Sequence, residues 1–426
     1  MSAFDERFLN QQGIADLQDV ARYAPNVRVD QAGTIIQPRI RGFGTNVVVN
    51  RGLELPVGIV IDEVPYSRAD YFVSGLFDVD RVEVLRGPQG QLFGANTTVG
   101  LLNLVTKNPT DEFTGFVDTE LGELGRRRFE GGVGGPLVPG FLNFRIAGLS
   151  DERGGFVDNT TARILPEADE VFGDWLRQSV RAKLDFPDLF GGSLLISYQR
   201  DFLDFGATQR ELTSVPEEFQ DLMLEYDPGT DFVPGNFVGS LNAPSLRKAD
   251  IDTVAAIGRY DLGGWGLNLV GGYSRLGSIA NDDADSAPWP STETSVDEVG
   301  DQTTAELRVS SPDLPGFFGI RNLFGRTLGS TDFTSGLFYQ RRTQSPTHTV
   351  STLDVNLVLL LSAMTMGFPA PPERPPSKIE SFTNDFDLTA NEVAGYGQMN
   401  WRFLDRWTLI GGLRVSHTAK EADWVQ

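Results

Sequence analysis

The feature of this sequence that most constrains its fold is a series of period-two patterns that begins near residue 114. In the clearest run, 179–186, apolar side chains alternate with polar or charged ones in the order SVRAKLDF. Successive side chains of a strand point to opposite faces, so each run predicts a strand with one apolar and one polar face. Eleven such runs occur, each of about 8–12 residues, which is the length of a tilted strand that crosses a bilayer. They lie at or near 116–122, 127–134, 141–150, 179–186, 193–199, 251–262, 266–276, 303–310, 331–342, 392–403 and 407–416.

After the third run, the connections alternate between long and short, with one of medium length at 311–330. The short ones are 187–192, 261–265 and 404–406. The long ones carry the acidic residues, because 151–176, 201–250, 276–301 and 343–391 together have a net charge of −22, equal to that of the whole chain. A soluble β-sandwich has no reason to gather its long loops at one end, whereas an outer-membrane barrel has short turns on one side and long loops on the other. Both signals therefore predict a membrane antiparallel β-barrel with one acidic rim.

Charged side chains inside the strand runs have two interpretations. On a soluble sandwich they face water, whereas in a barrel they line a wet interior and the apolar face meets lipid. Lipid accepts Arg or Lys at the midplane only at a cost of roughly 2–4 kcal/mol, so the regular alternation favours the barrel. The residues concerned are Arg145, Arg181, Lys183, Glu306, Arg308 and Arg414.

Composition excludes several classes of function. A net charge of −22 argues against a nucleic-acid-binding protein, which needs a basic surface, so we expect no nucleic-acid partner. The chain has no Cys and only two His, which leaves neither thiolate sites nor a histidine-rich metal centre. Asn281, Asp283 and Asp285 imitate the start of a calcium loop, but Ser286 and Thr292 replace the required Gly and Glu. Since no motif for hydrolysis or nucleotide chemistry occurs either, we expect no enzyme, no cofactor and no metal site.

Residues 14–108 have a different pattern, that of a small mixed α/β unit. Asp16 is placed to cap a helix that runs to Ala24, and Pro25 ends it. Short strand candidates follow, separated by glycine and proline. These candidates are Val27–Asp30, Pro38–Ile40, Val57–Ile61, Arg81–Leu85 and Leu101–Thr106.

Five motifs in this unit occur in an order and spacing that resemble the plug domain of TonB-dependent outer-membrane receptors. They are RIRGFG at 39–44, VGIVIDEVP at 57–65, DVDRVEVLRGPQG at 78–90, LFGANTTVG at 92–100 and LLNLVTKNP at 101–109. Two later segments, 336–342 and 395–418, resemble strands of that family's barrel. The resemblance implies an α+β plug domain at residues 1–110, followed by the barrel at residues 111–426.

The family's barrel has 22 strands around the plug. The eleven runs therefore predict an incomplete barrel, and we expect the sequence to be an N-terminal fragment with the plug and the first half of the barrel. Neither a secretory signal nor a TonB-box segment is recognisable before the plug. The TonB energy-transducing complex is thus expected as a partner through a segment missing from this chain.

The resemblance also implies a lock between the plug and the barrel. Arg41 and Arg86 match positions whose arginines pair with barrel glutamates, and Glu83 is a possible partner nearby in the plug. Glu306 is one candidate among the barrel glutamates. The alternative is that these are ordinary surface ion pairs, which contribute little to stability.

The plug's apical loops contact the ligand in this family. By position, the candidate ligand-binding residues are Tyr66, Arg68, Tyr71, Phe72, Gln89 and Gln91. The alternative for the aromatic residues is that they pack the plug against the barrel wall.

The function implied by the resemblance is active uptake of a scarce nutrient across the bacterial outer membrane. The expected ligand is an iron–siderophore complex, with cobalamin, haem or an oligosaccharide as alternatives. Outer-membrane lipid and lipopolysaccharide would surround the barrel. An alternative from another class is a β-sandwich adhesin that transports nothing.

Overall fold

The computed structural model describes residues 2–32, 35–44, 55–87, 90, 97–166, 168–206, 215–243, 245–283, 287–289, 292–316, 322–323, 326–327, 329–354, 379–403 and 406–425. No helix within these ranges is long and apolar enough to cross a membrane.

The N-terminal unit, here called the plug, is a mixed α/β domain around a five-stranded sheet. The strands of this sheet lie in the order Ser2–Asp5, Val79–Arg86, Gly100–Thr106, Val57–Ile61 and Val64–Tyr66, and Val27–Ala32 forms a separate hairpin with Ile35–Ile40. Leu17, Ile59, Val82 and Leu102 lie in its core, each at most 1% exposed. Its elements are β1 (Ser2–Asp5), α1 (Glu6–Gln12), α2 (Leu17–Tyr23), β2 (Val27–Ala32), β3 (Ile35–Ile40), β4 (Val57–Ile61), β5 (Val64–Tyr66), a 3₁₀ turn (Ala69–Phe72), β6 (Val79–Arg86) and β7 (Gly100–Thr106).

The helix and the five strands predicted for this unit are confirmed. Asp16 caps α2, because its side chain accepts a hydrogen bond from the Asp19 amide at 3.1 Å. The sequence did not predict β1 and α1. A strand of four residues is too short to show a period, and only its pairing with β6 makes it a strand.

The second part of the chain, from Thr114 onward, is dominated by long strands. Its strands are β8 (Thr114–Leu121), β9 (Arg127–Val138), β10 (Leu142–Arg153), β11 (Val157–Asn159), β12 (Val171–Phe172), β13 (Trp175–Leu189), β14 (Gly192–Phe205), β15 (Val238–Gly239), β16 (Leu246–Asp261), β17 (Gly266–Asp283), β18 (Thr292–Ser310), β19 (Leu314–Pro315), β20 (Asn322–Leu323), β21 (Arg326–Thr327), β22 (Ser330–Asp354), β23 (Ile379–Phe403) and β24 (Trp407–Val425). A 3₁₀ turn (Thr160–Arg163) and a helix, α3 (Glu217–Tyr226), lie in the long connections.

One antiparallel sheet, here called the wall, contains all eleven predicted strands. Their order in space is their order in the chain: β8, β9, β10, β13, β14, β16, β17, β18, β22, β23 and β24, with the short β19 beside β22. Each strand thus pairs with the one before it, as in an up-and-down barrel. The predicted fold class is therefore confirmed.

The two faces of the wall divide as the alternation predicts. On β13, Arg181 and Lys183 face the plug and are buried, whereas Val180 and Leu184 face outward and are 46% and 38% exposed. The outward face of neighbouring strands is likewise apolar, with Ile146 on β10. Arg145, Arg181, Lys183 and Glu306 of the strand runs are buried and thus belong to the interior.

The long connections contain more structure than the sequence indicated. The strands β12, β11 and β15 form a small sheet that joins two of these connections, 154–174 and 206–245. The buried Asn159 holds it together, since its side chain donates to the Asp169 and Leu241 carbonyls and accepts from the Leu241 amide at 2.9 Å. The described parts of the two connections are thus packed together.

Candidate functional site at the contact of plug and wall

The segment 76–78 of the plug is held by three arginines of the wall. Arg145 Nε donates to Asp78 Oδ2 at 2.7 Å, and both side chains are buried. Arg128 and Arg181 donate to the carbonyls of Leu76 and Phe77 at 2.8 and 3.1 Å. A backbone segment with no secondary structure of its own thus finds hydrogen-bond partners in the wall.

A second contact is made by Asp62, at the turn between β4 and β5. Lys183 Nζ lies 3.0 Å from Asp62 Oδ2, and the Thr106 amide donates to Asp62 Oδ1 at 2.8 Å. Burial by itself raises the pKa of this carboxyl. The Lys183 ammonium, the Arg181 guanidinium and the Thr106 hydrogen bonds outweigh burial and hold the pKa of Asp62 below its ordinary value.

A third contact joins the segment after β5 to strands β17 and β18. The Ser67 amide donates to Gln302 Oε1 at 2.9 Å, and Gln302 Nε2 donates to the Pro65 carbonyl at 2.8 Å. Gly272 of β17 permits this approach, because a Cβ there would lie 2.6 Å from Val64 Cγ1. The plug therefore lies directly on the wall at this point, with no room for an added side chain.

Four of the predicted ligand-binding residues lie in this same contact. Tyr66, Tyr71 and Phe72 are at most 7% exposed, and the rings of the two tyrosines are 4.6 Å apart. Ser274 Oγ of β17 donates to Tyr71 Oη at 2.9 Å, and Arg68 pairs with Glu298 of β18. Their positions favour the alternative given above, that they pack the plug against the wall.

The pKa shifts of Tyr66, Arg68 and Tyr71 reflect the burial of these side chains and their charged neighbours. Burial raises the pKa of Tyr66 and raises the pKa of Tyr71 to about 12. Burial alone lowers the pKa of Arg68, but the carboxylates of Asp70 and Glu298 outweigh it and raise the pKa. The phenols therefore stay neutral and the guanidinium stays charged. Gln89 and Gln91 lie outside the described residues, and ligand contact by all six stays a prediction.

The predicted lock residues lie within the plug. Arg86 Nη2 donates to Ser2 Oγ at 2.6 Å, and Arg86 Nη1 donates to the Pro25 carbonyl at 3.3 Å. Arg41 is exposed, with φ of 55°. Among the described residues, neither arginine pairs with a wall glutamate, and the lock stays a prediction.

The partners suggested for these arginines are engaged elsewhere. Glu83 accepts from Arg81 Nε at 2.7 Å rather than from Arg86, because residues 83 and 86 of β6 point to opposite faces of the sheet. The role of Glu83 as a local partner in the lock stays a prediction. Glu306 pairs with Arg308 at 2.9 Å on the same wall strand and accepts from the Tyr396 hydroxyl.

The sequence analysis did not predict which side of the contact between plug and wall supplies the acidic residues and which supplies the basic ones. Most of the described ion pairs between plug and wall join an acidic plug residue to a basic wall residue. The signals were present in the sequence, since Arg145, Arg181 and Lys183 lie on the polar face of predicted strands, and Asp62 and Asp78 border plug strands. Only their placement opposite one another requires the structure.

Comparison with known proteins agrees with this architecture. The family model described as "TonB-dependent Receptor Plug Domain" matches residues 1–101, and "TonB dependent receptor-like, beta-barrel" matches residues 165–423. A pesticin receptor of Yersinia enterocolitica is 23% identical over 416 residues, which cover 96% of this chain and 51% of the relative. A ferripyoverdine receptor of Pseudomonas aeruginosa is 32% identical over 149 residues, 34% of this chain and 18% of that protein.

Solved structures show the same fold. The ferric yersiniabactin uptake receptor of Yersinia pestis superimposes with a TM-score of 0.76 at 18% identity, covering 99% of this chain and 57% of its own. The outer-membrane ferripyoverdine receptor of Pseudomonas aeruginosa superimposes with a TM-score of 0.70 at 16% identity, covering 100% and 52%. The chain thus spans about half the length of these proteins. With both family models matched in order, the chain belongs to the TonB-dependent receptors of the bacterial outer membrane.

Proposed function

We propose that the full-length protein takes up a ferric siderophore across the outer membrane, driven by the TonB complex. The observation that carries this proposal is a plug that lies on the inner face of the wall and is held there by buried ion pairs. Such a plug closes the barrel at rest, so passage requires a conformational change rather than chemistry. The relatives named above include a ferripyoverdine receptor and a ferric yersiniabactin uptake receptor, which supports a chelated metal as ligand.

The packed connections at the long-loop rim supply the outer side of the ligand site in this proposal. Ligand binds between them and the plug, the plug transmits the binding to its periplasmic side, and TonB pulls on a segment not contained in this chain. Lipid and lipopolysaccharide contact the apolar outward face. Cobalamin, haem and oligosaccharide remain alternative ligands within the same mechanism, whereas the adhesin does not account for the plug family match.

Growth on chelated iron tests the proposal. The full-length receptor is expressed in an iron-starved host that lacks its own siderophore receptors, and ferric siderophores are supplied singly. We expect growth on at least one of them, lost when TonB is deleted. The control is the same host with the empty vector. Growth rescue by cobalamin, haem or an oligosaccharide alone would replace the ligand class, and rescue that persists without TonB would overturn the mechanism.

A further inference from the structure

The turn between β4 and β5 consists of two residues that adopt an unusual backbone conformation. Asp62 has φ of 47° and Glu63 has φ of 67°, both in the left-handed region. Two-residue hairpin turns of this kind favour Asn or Asp followed by Gly, since a side chain at positive φ costs free energy. Glu at the second position is therefore unfavourable locally, and its side chain must have compensating contacts elsewhere.

The side chain of Glu63 finds these contacts in the wall. It pairs with Arg259 of β16, accepts from Asn268 Nδ2 of β17 at 2.8 Å, and lies 3.8 Å from Arg308 Nη1 of β18. The sheet register places these three residues side by side, Arg259 opposite Asn268 and Asn268 opposite Arg308. One carboxylate thus bridges three adjacent strands at the side of the sheet where the short connection 261–265 joins β16 to β17.

The neighbouring carboxylate of Asp62 reaches a fourth strand, β13. Its partner Lys183 is almost completely buried, with a side chain 1% exposed, and also donates to Asn108 Oδ1 at 3.0 Å. An ammonium at such a position needs a paired charge, because its desolvation is otherwise uncompensated. Plug and wall therefore depend on each other at this point, because removal of either side chain takes away the ion pair that compensates the burial of the other charge.

We propose that the Asp62–Glu63 turn is a latch that retains the plug in the barrel and must open before ligand can pass. The latch has the opposite polarity to the lock implied by the family resemblance, since the plug supplies the acids and the wall the bases. The backbone strain at Glu63 is the sign that the residue is present for its carboxylate rather than for the turn. The latch deepens the proposed function and rests on it, because passage of ligand gives the opening of the latch its purpose.

Passive leak through the full-length receptor tests the latch. We measure swelling of proteoliposomes in a neutral tetrasaccharide, without TonB and without siderophore, for Asp62→Asn, Glu63→Gln, Glu63→Gly and Lys183→Gln. Matched controls are Asp80→Asn and Lys248→Gln, whose side chains form exposed ion pairs with Arg81 and Asp204. Heat-modifiable migration of each variant in electrophoresis establishes that its barrel is folded.

We expect leak at least about tenfold above wild type for the latch variants, equivalent to 1.4 kcal/mol of lost retention, and wild-type leak for both controls. Glu63→Gly is the decisive variant, because glycine relieves the strain and improves the turn while removing the carboxylate. The double variant Asp62→Asn/Lys183→Gln should leak no more than the worse single variant, since the two side chains act as one pair.

Folded Glu63→Gly or Asp62→Asn protein with wild-type leak would overturn the latch. The latch would also be overturned if the leak of the two control variants rose as much as that of the latch variants. The outcome is independent of the proposed uptake: raised leak in the latch variants, together with failure of every siderophore in the growth test, would support the latch and overturn the proposed ligand.

Discussion

At the scale of single residues, plug and wall are joined by charges that neither could bury alone. Asp78 and Arg145 are both buried, and the Asp78 amide also donates to Glu130 Oε1 of β9 at 2.9 Å. A buried pair of this kind adds little compared with apolar residues, but loss of one partner is costly. Such residues determine where the plug docks rather than how stable the barrel is.

We expect Asp78→Ala to weaken plug docking by about 3–5 kcal/mol, because Arg145 is left as an uncompensated buried charge. The measurement is the denaturant dependence of protease cleavage within the plug of the full-length protein in detergent. Glu152→Ala is the control: Glu152 forms an exposed pair with Arg127 at 3.5 Å, and its loss should cost at most about 1 kcal/mol. Equal effects of the two variants would contradict the docking role of Asp78.

A second prediction at this scale concerns pH. The pKa of Asp62 is lowered in the folded protein, so its contribution to docking is complete above the ordinary carboxyl pKa, about 4. The contribution is lost as the pH falls through the lowered value. We therefore expect constant tetrasaccharide leak between pH about 5 and 8 and a rise only below pH about 4. The Asp62→Asn variant should lack the part of that rise that comes from protonation of Asp62. A leak of the wild-type protein that changes near neutral pH would contradict the lowered pKa of Asp62.

At the scale of elements, alternation along a strand decides which residues meet the plug. Gly271 and Gly272 are neighbours on β17, yet an added Cβ meets nothing within 4 Å at Gly271 and lies 2.6 Å from Val64 at Gly272. Since successive residues point to opposite faces, one glycine serves the contact with the plug and the other does not.

Gly272→Ala should therefore displace β5 and loosen the plug, at a cost of about 1–3 kcal/mol, as in other overpacked contacts. Gly271→Ala should have almost no effect on docking. Protection of the β4 and β5 amides from hydrogen exchange measures both. Loss of protection in the Gly271 variant alone would show that the register of β17 is assigned to the wrong face.

At the scale of the whole molecule, the wall has polar side chains inside and apolar side chains outside, the reverse of a soluble protein. Large apolar residues are exposed all along the outward face, among them Ile146, Val180, Leu184, Leu337 and Val393. An apolar surface of this extent needs a partner, and for a TonB-dependent receptor that partner is lipid. Contrary to the prediction from the sequence, not all of the acidic residues lie on connections. Strands β17 and β18 extend beyond the predicted runs and contain Asp282, Asp283, Glu293, Asp297, Glu298 and Asp301.

This arrangement predicts the effect of a charge on the outward face. Leu184→Arg should weaken folding of the full-length receptor into vesicles by about 2–4 kcal/mol, since arginine then faces hydrocarbon. Gln178→Arg is a matched substitution on the outward face of the same strand, closer to the long-connection rim, and should cost at most about 1 kcal/mol. The measurement is urea unfolding in lipid vesicles. A cost for Gln178→Arg equal to that for Leu184→Arg would contradict the assigned depth.

Local sequence patterns were enough to predict the eleven long strands of the wall, the helix α2 and the family, but not the short elements such as β1, α1 and β11. The eleven strands and the capped helix α2 are local consequences of side-chain period and turn chemistry, and all were predicted. The five plug motifs indicated the family from local sequence as well, because each motif is a continuous segment and all five lie within residues 39–109.

Which charges pair with one another depends on how plug and wall pack. Asp62 and Lys183 are 121 positions apart, and nothing in either local pattern indicates the other. The same holds for Tyr66 and Tyr71, whose burial comes from a wall that the chain builds two hundred residues later. The physical reason is that strand formation depends on neighbours in the chain, whereas pairing of buried charges depends on the register and position in which plug and wall finally pack.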